Sequence, residues 1–207
     1  MNLVFDFGAV LFTWQPAALL SEHFPELAAT PEQAGDMARA IFSHDDWQSF
    51  DRGTLEIDAV IDRTATRLAL PRDSLQALMA PIGERLQPIA ANVALLGRLR
   101  ERRERHGDVR LYFLSNMPEP FARTLEQRHD FLQWFDGGIF SGDVKLAKPD
   151  PAIFQLLASR YQLEQARTLF IDDALVNVNA AAALGWQTIH CQQPELLVSQ
   201  FSGKTQL

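Results

Sequence analysis

The sequence predicts an α/β protein in which helices cover a parallel sheet and one long helical segment interrupts the alternation. Short apolar runs alternate with longer stretches of helical period along most of the chain. The runs are continuously apolar, which is typical of strands buried on both faces of a parallel sheet. Residues 15–86 instead carry helix signals and no convincing strand. The 207 residues, 47% of them hydrophobic, suffice for one large domain with an insertion.

Five apolar runs are predicted to be strands, and three helices between them are clear. One helix is expected over residues 88–105. Asp150 is expected to cap a second helix that begins at Pro151, and Gly185 to end a third helix over residues 174–184. This alternation implies a Rossmann-like three-layer core with right-handed crossovers. The predicted strands are residues 3–5, 110–114, 138–140, 168–171 and 187–190.

The segment 15–86 is predicted to form a helical cap of about four helices, inserted after the first strand. The core would then consist of residues 1–14 and 87–207. Thr30 and Gln33 have the spacing of a capping box at the start of one cap helix. The segment holds 12 acidic and 6 basic residues, so it carries −6 of the chain's net charge of −7. The distribution of charge therefore supports the same boundary as the strand pattern.

Composition argues against several classes of function. A net charge of −7 disfavours nonspecific nucleic-acid binding, which depends on Lys and Arg neutralising phosphates. No apolar run approaches the ~20 residues that a membrane span needs. The single cysteine, Cys191, cannot form an intrachain disulfide, which suits a reducing cytoplasm. We therefore expect a cytoplasmic monomer or homodimer with no nucleic-acid or membrane partner.

Polar residues follow three of the predicted strands, at the edge where ligands bind in an open α/β sheet. These side chains are expected to converge in one crevice, and Lys148, after the strand at 138–140, could reach it too. Converging carboxylates repel one another unless a cation lies between them. Mg²⁺ prefers oxygen ligands of this kind together with substrate phosphate. The strand-end residues are Asp6, Ser115, Asn116, Asp172 and Asp173.

Four short segments stand at these positions: Val-Phe-Asp-Phe-Gly at 4–8, Leu-Ser-Asn at 114–116, Lys-Pro-Asp-Pro at 148–151 and Phe-Ile-Asp-Asp at 170–173. In this order, they resemble the motifs of the haloacid dehalogenase superfamily of hydrolases, and the resemblance covers nearly the full chain. It is closest to the bacterial sugar-phosphate phosphatase-like branch and to the amino-terminal domain of soluble epoxide hydrolases. The resemblance implies a hydrolase that acts on a small phosphorylated metabolite, such as a sugar phosphate.

The resemblance implies a role for each matching residue. Asp6 would be the nucleophile and would form an aspartyl-phosphate intermediate. Ser115 and the backbone near Asn116 would hold the phosphoryl oxygens. Lys148 would neutralise phosphoryl charge and hold Asp6 in place. Asp6, Ser115 and Lys148 are thus the catalytic candidates. Ser115, Asn116 and Lys148 are the candidates for binding the substrate. Arg52, in the cap, is a further candidate for contact with an anionic substrate.

The resemblance also implies a Mg²⁺ site beside the nucleophile. The carboxylates of Asp6 and Asp173 and the backbone carbonyl of Gly8 would be ligands, and Asp172 would contribute directly or through water. Phosphoryl transfer depends mainly on positioning and positive charge. Mg²⁺ and Lys148 would supply that charge and let an anionic nucleophile approach an anionic phosphate.

Gly8 departs from the family pattern, because the family's phosphatases usually carry an acid/base Asp two residues after the nucleophile. General acid–base catalysis contributes about 10²–10⁴-fold, so its loss needs an explanation. The substrate could have a good leaving group, or a polar cap residue could supply the proton. The third explanation is a protein that binds a phosphorylated metabolite without turning it over. The cap candidates, by residue type alone, are His44, Asp45 and Asp46.

A dehalogenase in which Asp6 attacks carbon is the remaining alternative. The dehalogenases of the superfamily also lack the second Asp, but they do not need Mg²⁺. They also lack the paired acidic residues of the fourth motif. Asp172 and Asp173 therefore favour a phosphatase over a dehalogenase.

Overall fold

A five-stranded, fully parallel sheet forms the centre of the protein in the computed structural model, which describes residues 1–204. The strand order is β3-β2-β1-β4-β5, so β1 pairs with both β2 and β4. All five predicted strands are confirmed. They are β1 (Asn2–Phe5), β2 (Arg110–Ser115), β3 (Gly137–Phe140), β4 (Thr168–Asp172) and β5 (Gln187–His190).

Successive strand residues point to opposite faces of the sheet, so a continuously apolar strand makes both faces apolar. Helices cover both of these faces. In β1, Leu3 and Phe5 belong to one buried cluster and Val4 to a second, and all three are fully buried. The α/β fold class is therefore confirmed. The α-helices that follow residue 89 in the chain are α7 (Ala90–His106), α8 (Glu119–Arg128), α9 (Ser141–Val144), α10 (Pro151–Tyr161), α11 (Leu175–Ala183) and α12 (Leu197–Lys204).

Every named element between β1 and α7 is a helix. There are six in this stretch of the described chain, rather than about four: α1 (Pro16–His23), α2 (Pro31–Phe42), α3 (Asp45–Asp51), α4 (Ile57–Leu68), α5 (Arg72–Met79) and α6 (Ile82–Arg85). The count was too low because α3 and α6 have 7 and 4 residues, too few to show a helical period. We call residues 15–86 the cap; the division into core and cap residues remains a prediction.

Several local predictions are confirmed. Thr30 and Gln33 form the reciprocal capping box at the start of α2. The Asp150 side chain accepts a hydrogen bond from the Ala152 backbone at the start of α10. Gly185 has a φ of +83°, the left-handed conformation expected just after a helix. These short-range signals depend on neighbouring residues alone.

The chain enters and leaves the cap side by side. The Thr13 backbone N–H donates to the Gln87 carbonyl at 2.8 Å, and the Gln87 N–H donates to the Thr13 hydroxyl at 3.2 Å. The two connections are therefore hydrogen-bonded to each other, which places the cap over the carboxyl end of β1. Across residues 1–204, the helices are too short or too polar for any of them to cross a bilayer.

Candidate active site

Asp6 lies at the carboxyl end of β1, where the strand turns abruptly into a loop. Its backbone N–H still donates to Ile171 of β4, which continues the sheet pairing at 2.9 Å. The next turn is tight, since the Phe7 carbonyl accepts hydrogen bonds from residues 10, 11 and 12. The Phe7 N–H also donates to Asp6 Oδ1 at 2.7 Å. The sheet and the turn together fix the carboxylate at the strand end, 7% exposed.

Lys148 is buried among acceptors that use its whole donor capacity. Its Nζ lies 3.0 Å from Asp6 Oδ1 and 2.6 Å from Asp172 Oδ2, and it donates to the Leu114 carbonyl at 2.8 Å. An ammonium has three N–H donors. Burial lowers the pKa of Lys148, but Asp172 and Asp6 outweigh that effect and raise it above its ordinary value. Lys148 is therefore a fixed positive charge that orients the Asp6 carboxylate.

Asp172 acts mainly as an acceptor for its neighbours. It is fully buried, and besides Lys148 it accepts from the Ala174 N–H at 2.8 Å and from Asn177 Nδ2 at 3.0 and 3.2 Å. Asp173, by contrast, lines the cavity that Asp6 also lines. The two adjacent carboxylates thus have different surroundings.

Carboxylate oxygens of Asp6, Asp172 and Asp173 lie within 4.8 Å of one another, close enough to share a cation. This donor set fits Mg²⁺, a hard cation that takes carboxylate, carbonyl and water oxygens. N–H donors surround Asp172, so Asp6 and Asp173 are the better-placed direct ligands. Gly8 lines the same cavity, as a carbonyl ligand would have to.

The same crowding perturbs the acidity of the site. Burial raises the pKa of Asp6 to about 7 despite the nearby Lys148, and Asp172 and Asp173 add to the increase. Burial likewise raises the pKa of Asp173 to about 6, with a further contribution from Asp172. Without a cation, each carboxyl therefore holds its proton to higher pH than an exposed carboxyl does.

These pKa values predict that Mg²⁺ stabilises the protein more at pH 8 than at pH 5. Because both pKa values are raised in the folded state, the metal-free protein loses stability as pH rises from the ordinary carboxyl pKa of 3.8 to about 6 for Asp173 and about 7 for Asp6. Mg²⁺ binds the deprotonated carboxylates and offsets their repulsion. Thermal denaturation with and without Mg²⁺ should show a Tm increase of several degrees at pH 8 and a smaller one at pH 5. Asp173→Asn should remove most of the increase; equal increases at both pH values would contradict this account.

Ser115 and Asn116 end β2 beside this cluster, and both line the cavity. Ser115 is 1% exposed. The Asn116 side chain spans to the Lys148 backbone, donating to its carbonyl at 2.9 Å and accepting from its N–H at 2.8 Å. The amide of Asn116 therefore positions the backbone of Lys148, and Ser115 lies beside them at the cavity.

Aromatic side chains of the cap and core form the other wall of the cavity, whose volume is about 410 Å³. The Trp14 ring packs edge-on against Phe42 at 5.2 Å, and Phe42 packs against Trp47 at 4.7 Å between ring centroids. Trp47 is also 6.4 Å from the ring of Phe121 on α8. The site thus has a charged floor at the sheet and an apolar wall under the cap.

The cap residues proposed from the sequence do not line this cavity. Arg52 lies just after α3, outside the set of lining side chains. His44 Nδ1 accepts from the Asp46 backbone, Asp46 pairs with Arg63 at 3.0 Å, and Asp45 is exposed. The polar cap residues that line it, Arg39, Ser43 and Asp51, were missed by sequence reasoning, and Asp51 is the only carboxyl group among them.

A parallel α/β sheet with a carboxylate cluster and a buried lysine at its carboxyl edge is the arrangement of an enzyme of the α/β class, since ligands of open α/β sheets bind at that edge. Residues 91–185 match the family model described as haloacid dehalogenase-like hydrolase. Together with the fold and the motif residues, this match supports the similarity of the chain to the haloacid dehalogenase-like hydrolases.

One curated relative and two solved structures are similar to this chain over most of its length. The sesquiterpene phosphatase astK of Aspergillus oryzae is 28% identical over 187 residues, which cover 90% of this chain and 87% of the relative. A HAD family enzyme from Bacteroides thetaiotaomicron, solved with magnesium and inorganic phosphate, has the same fold, with a TM-score of 0.67 at 20% identity over 91% of this chain and 92% of that one. The L-2-haloacid dehalogenase of Xanthobacter autotrophicus superposes with a TM-score of 0.65 at 20% identity, over 99% and 83% of the chains.

Proposed function

We propose that this protein is a Mg²⁺-dependent phosphatase that hydrolyses a small phosphate monoester through an aspartyl-phosphate at Asp6. The observation that carries the proposal is the buried cluster of Asp6, Lys148, Asp172 and Asp173 at the sheet edge. A lone buried lysine among three carboxylates leaves net negative charge. A divalent cation offsets this negative charge, and phosphate oxygens complete its ligand set, whereas the dehalogenases of the superfamily need no such cation.

Each residue has a physical role in this reaction. Asp6 Oδ2 is the nucleophilic oxygen, because Oδ1 already accepts from Lys148 and from the Phe7 backbone. Lys148 holds that orientation and adds a fixed positive charge. The Ser115 hydroxyl is placed to donate to a phosphoryl oxygen. Asp6, Asp173 and the Gly8 carbonyl would hold Mg²⁺, which would supply positive charge to the phosphoryl group.

The wall of the cavity supports a substrate whose organic part is apolar. Trp14, Phe42, Trp47 and Phe121 line it, together with Ile82 and other aliphatic side chains. Burying apolar surface stabilises a complex by about 25 cal/mol per Å². A sugar would instead need hydrogen-bonding partners for its hydroxyl groups. The similarity to a sesquiterpene phosphatase supports the same choice.

A phosphate-release screen with and without Mg²⁺ tests the proposal. It should compare long-chain alkyl and terpenyl phosphates with sugar phosphates, which remain the competing prediction. We expect Mg²⁺-dependent turnover, with kcat/KM at least tenfold higher for the apolar esters. Trp47→Ala should reduce that preference, since even one methylene group in a hydrophobic pocket changes discrimination by about 1–3 kcal/mol. Higher kcat/KM for sugar phosphates would overturn the substrate class.

The same screen distinguishes the two rival functions. Halide release from 2-haloacids without added Mg²⁺ would indicate a dehalogenase. Mg²⁺-dependent binding of a phosphate analogue, with no turnover across the panel, would indicate a binding protein. A cytoplasmic location and a monomeric or homodimeric state also remain predictions.

A further inference from the structure

The cap places one carboxyl group inside the cavity. Asp51 is the last residue of α3, and it lines the cavity together with Asp6, Ser115 and Lys148. Its side chain therefore shares a compartment with the nucleophile, although 45 residues of sequence separate the two. The position two residues after the nucleophile is Gly8, which has no side chain to donate a proton.

Backbone contacts between the cap and the core hold Asp51 in this position. The Ser141 hydroxyl donates to the Asp51 carbonyl, and Lys145 Nζ donates to the carbonyl of Gly53. Gly53 has a φ of +68°, and a Cβ there would lie 2.7 Å from the Gly142 carbonyl oxygen. The cap loop thus packs directly on the α9 segment of the core, so Asp51 is fixed relative to the sheet.

The surroundings of Asp51 favour its neutral form. Burial raises the pKa of its carboxyl well above the usual range, and Asp6 raises it further. Lys148, a hydrogen bond from the Trp47 side chain and Arg52 act in the opposite direction without cancelling the shift. A carboxylic acid that keeps its proton near neutral pH can donate that proton in a reaction.

We propose that Asp51 is the general acid and base of the reaction, in place of the carboxylate missing at Gly8. This inference rests on the proposed phosphatase function. It assigns the proton transfers to the cap, so that the site is complete only when the cap is docked on the core.

The proposed steps balance in atoms and charge. Asp6 Oδ2 attacks phosphorus while the bond from phosphorus to the leaving oxygen breaks. The leaving oxygen keeps that electron pair and takes the proton of Asp51, so an alcohol departs. Asp51, now a carboxylate, then takes a proton from a water molecule whose oxygen attacks the phosphorus of aspartyl-phosphate. The bond from phosphorus to Asp6 breaks, which regenerates the Asp6 carboxylate, releases inorganic phosphate and leaves Asp51 protonated.

The first test compares leaving groups in Asp51→Asn. An alkyl phosphate needs a proton on its leaving oxygen, whereas p-nitrophenyl phosphate releases a stable phenolate. We expect the initial burst of p-nitrophenolate from Asp51→Asn to keep a rate within about tenfold of the wild type, and kcat for an alkyl phosphate to fall by about 10²–10³-fold. Asp45→Asn, which removes an exposed carboxylate from the other end of α3, is the matched control and should behave as the wild type.

The second test restores an acid at the family's usual position. A Cβ at Gly8 would meet only Trp14, at 3.7 and 3.9 Å, which is ordinary van der Waals contact. Gly8→Asp should therefore fold, and it should recover alkyl phosphate turnover by at least tenfold when combined with Asp51→Asn. This recovery would distinguish a catalytic Asp51 from a carboxyl that merely anchors the cap, because a distorted cap is not repaired at residue 8.

The outcomes separate this inference from the function on which it rests. If the wild type hydrolyses phosphate esters but Asp51→Asn retains its alkyl phosphate kcat, Asp51 is not the acid. An equal loss in the p-nitrophenolate burst and in alkyl turnover, without recovery by Gly8→Asp, would assign Asp51 a structural role and overturn the inference. If the wild type hydrolyses no phosphate ester at all, the proposed function itself fails.

Discussion

Asp6→Asn is expected to lower kcat for every phosphate ester by about 10⁴-fold or more. The amide cannot form the aspartyl-phosphate, and removal of a nucleophile from an enzyme commonly costs this much or more. Asparagine has the same shape, so Lys148 can still donate to its Oδ1 atom. Phosphate release measured at saturating substrate, with the most active ester of the panel, checks the prediction.

The stability of the same variant shows whether the loss is chemical. The raised pKa of Asp6, about 7, means that the folded state prefers the uncharged form of this residue. The uncharged amide should therefore keep the metal-free Tm at pH 8 at or above the wild-type value. Asp143→Asn, on the exposed side of α9, is the control for the substitution itself. Undiminished turnover in Asp6→Asn would refute the proposed nucleophile.

Lys148→Met is expected to destabilise the protein by about 3–5 kcal/mol at pH 8, the usual effect of removing one partner from a buried ion pair. The substitution keeps the length of the side chain but leaves Asp6 and Asp172 facing each other without a cation. Turnover should also fall, because the nucleophile loses the donor that orients it. Urea denaturation monitored by circular dichroism gives the free energy of unfolding.

The pH dependence of that loss identifies its cause. At pH 5, Asp6 can take up a proton and relieve the repulsion, so the destabilisation should be smaller than at pH 8. Arg160→Met, on α10, provides a control in which an exposed cation is removed. Exposed charges contribute about 0–1 kcal/mol, so this variant should remain within that range. An equal loss at both pH values would show that packing, rather than charge, explains the effect of Lys148.

The sheet and the charged side of the site could be predicted from the sequence, because both depend on local patterns. A continuously apolar run that ends in a polar residue specifies a buried strand and what lies at its carboxyl end. Asp6, Ser115 and Asp173 are each the product of one such pattern. The pattern alone distinguished Lys148 less clearly from Lys145, which lies three residues earlier. The structure decides between them, because Lys148 is buried beside Asp6 and Lys145 is exposed.

The division of labour between Asp172 and Asp173 needed the tertiary structure. The two residues are adjacent in the sequence and chemically identical. The turn after β4 brings the Ala174 N–H to Asp172, α11 brings Asn177 to it, and Asp173 is left in the cavity. These hydrogen bonds follow from how the chain turns after β4, which residue identity does not specify.

The sequence by itself determined that this protein is a hydrolase with an α/β fold and with carboxylates at the ends of β1 and β4. The tertiary structure alone decided which cap residue reaches them. The sequence offered four candidates on or beside α3 by residue type: His44, Asp45, Asp46 and Arg52. None of them lines the cavity, whereas Asp51 does. The reason is physical: a short helix has no apolar period to fix its orientation. The contact between Gly53 and Gly142, 89 residues apart in the chain, sets it instead.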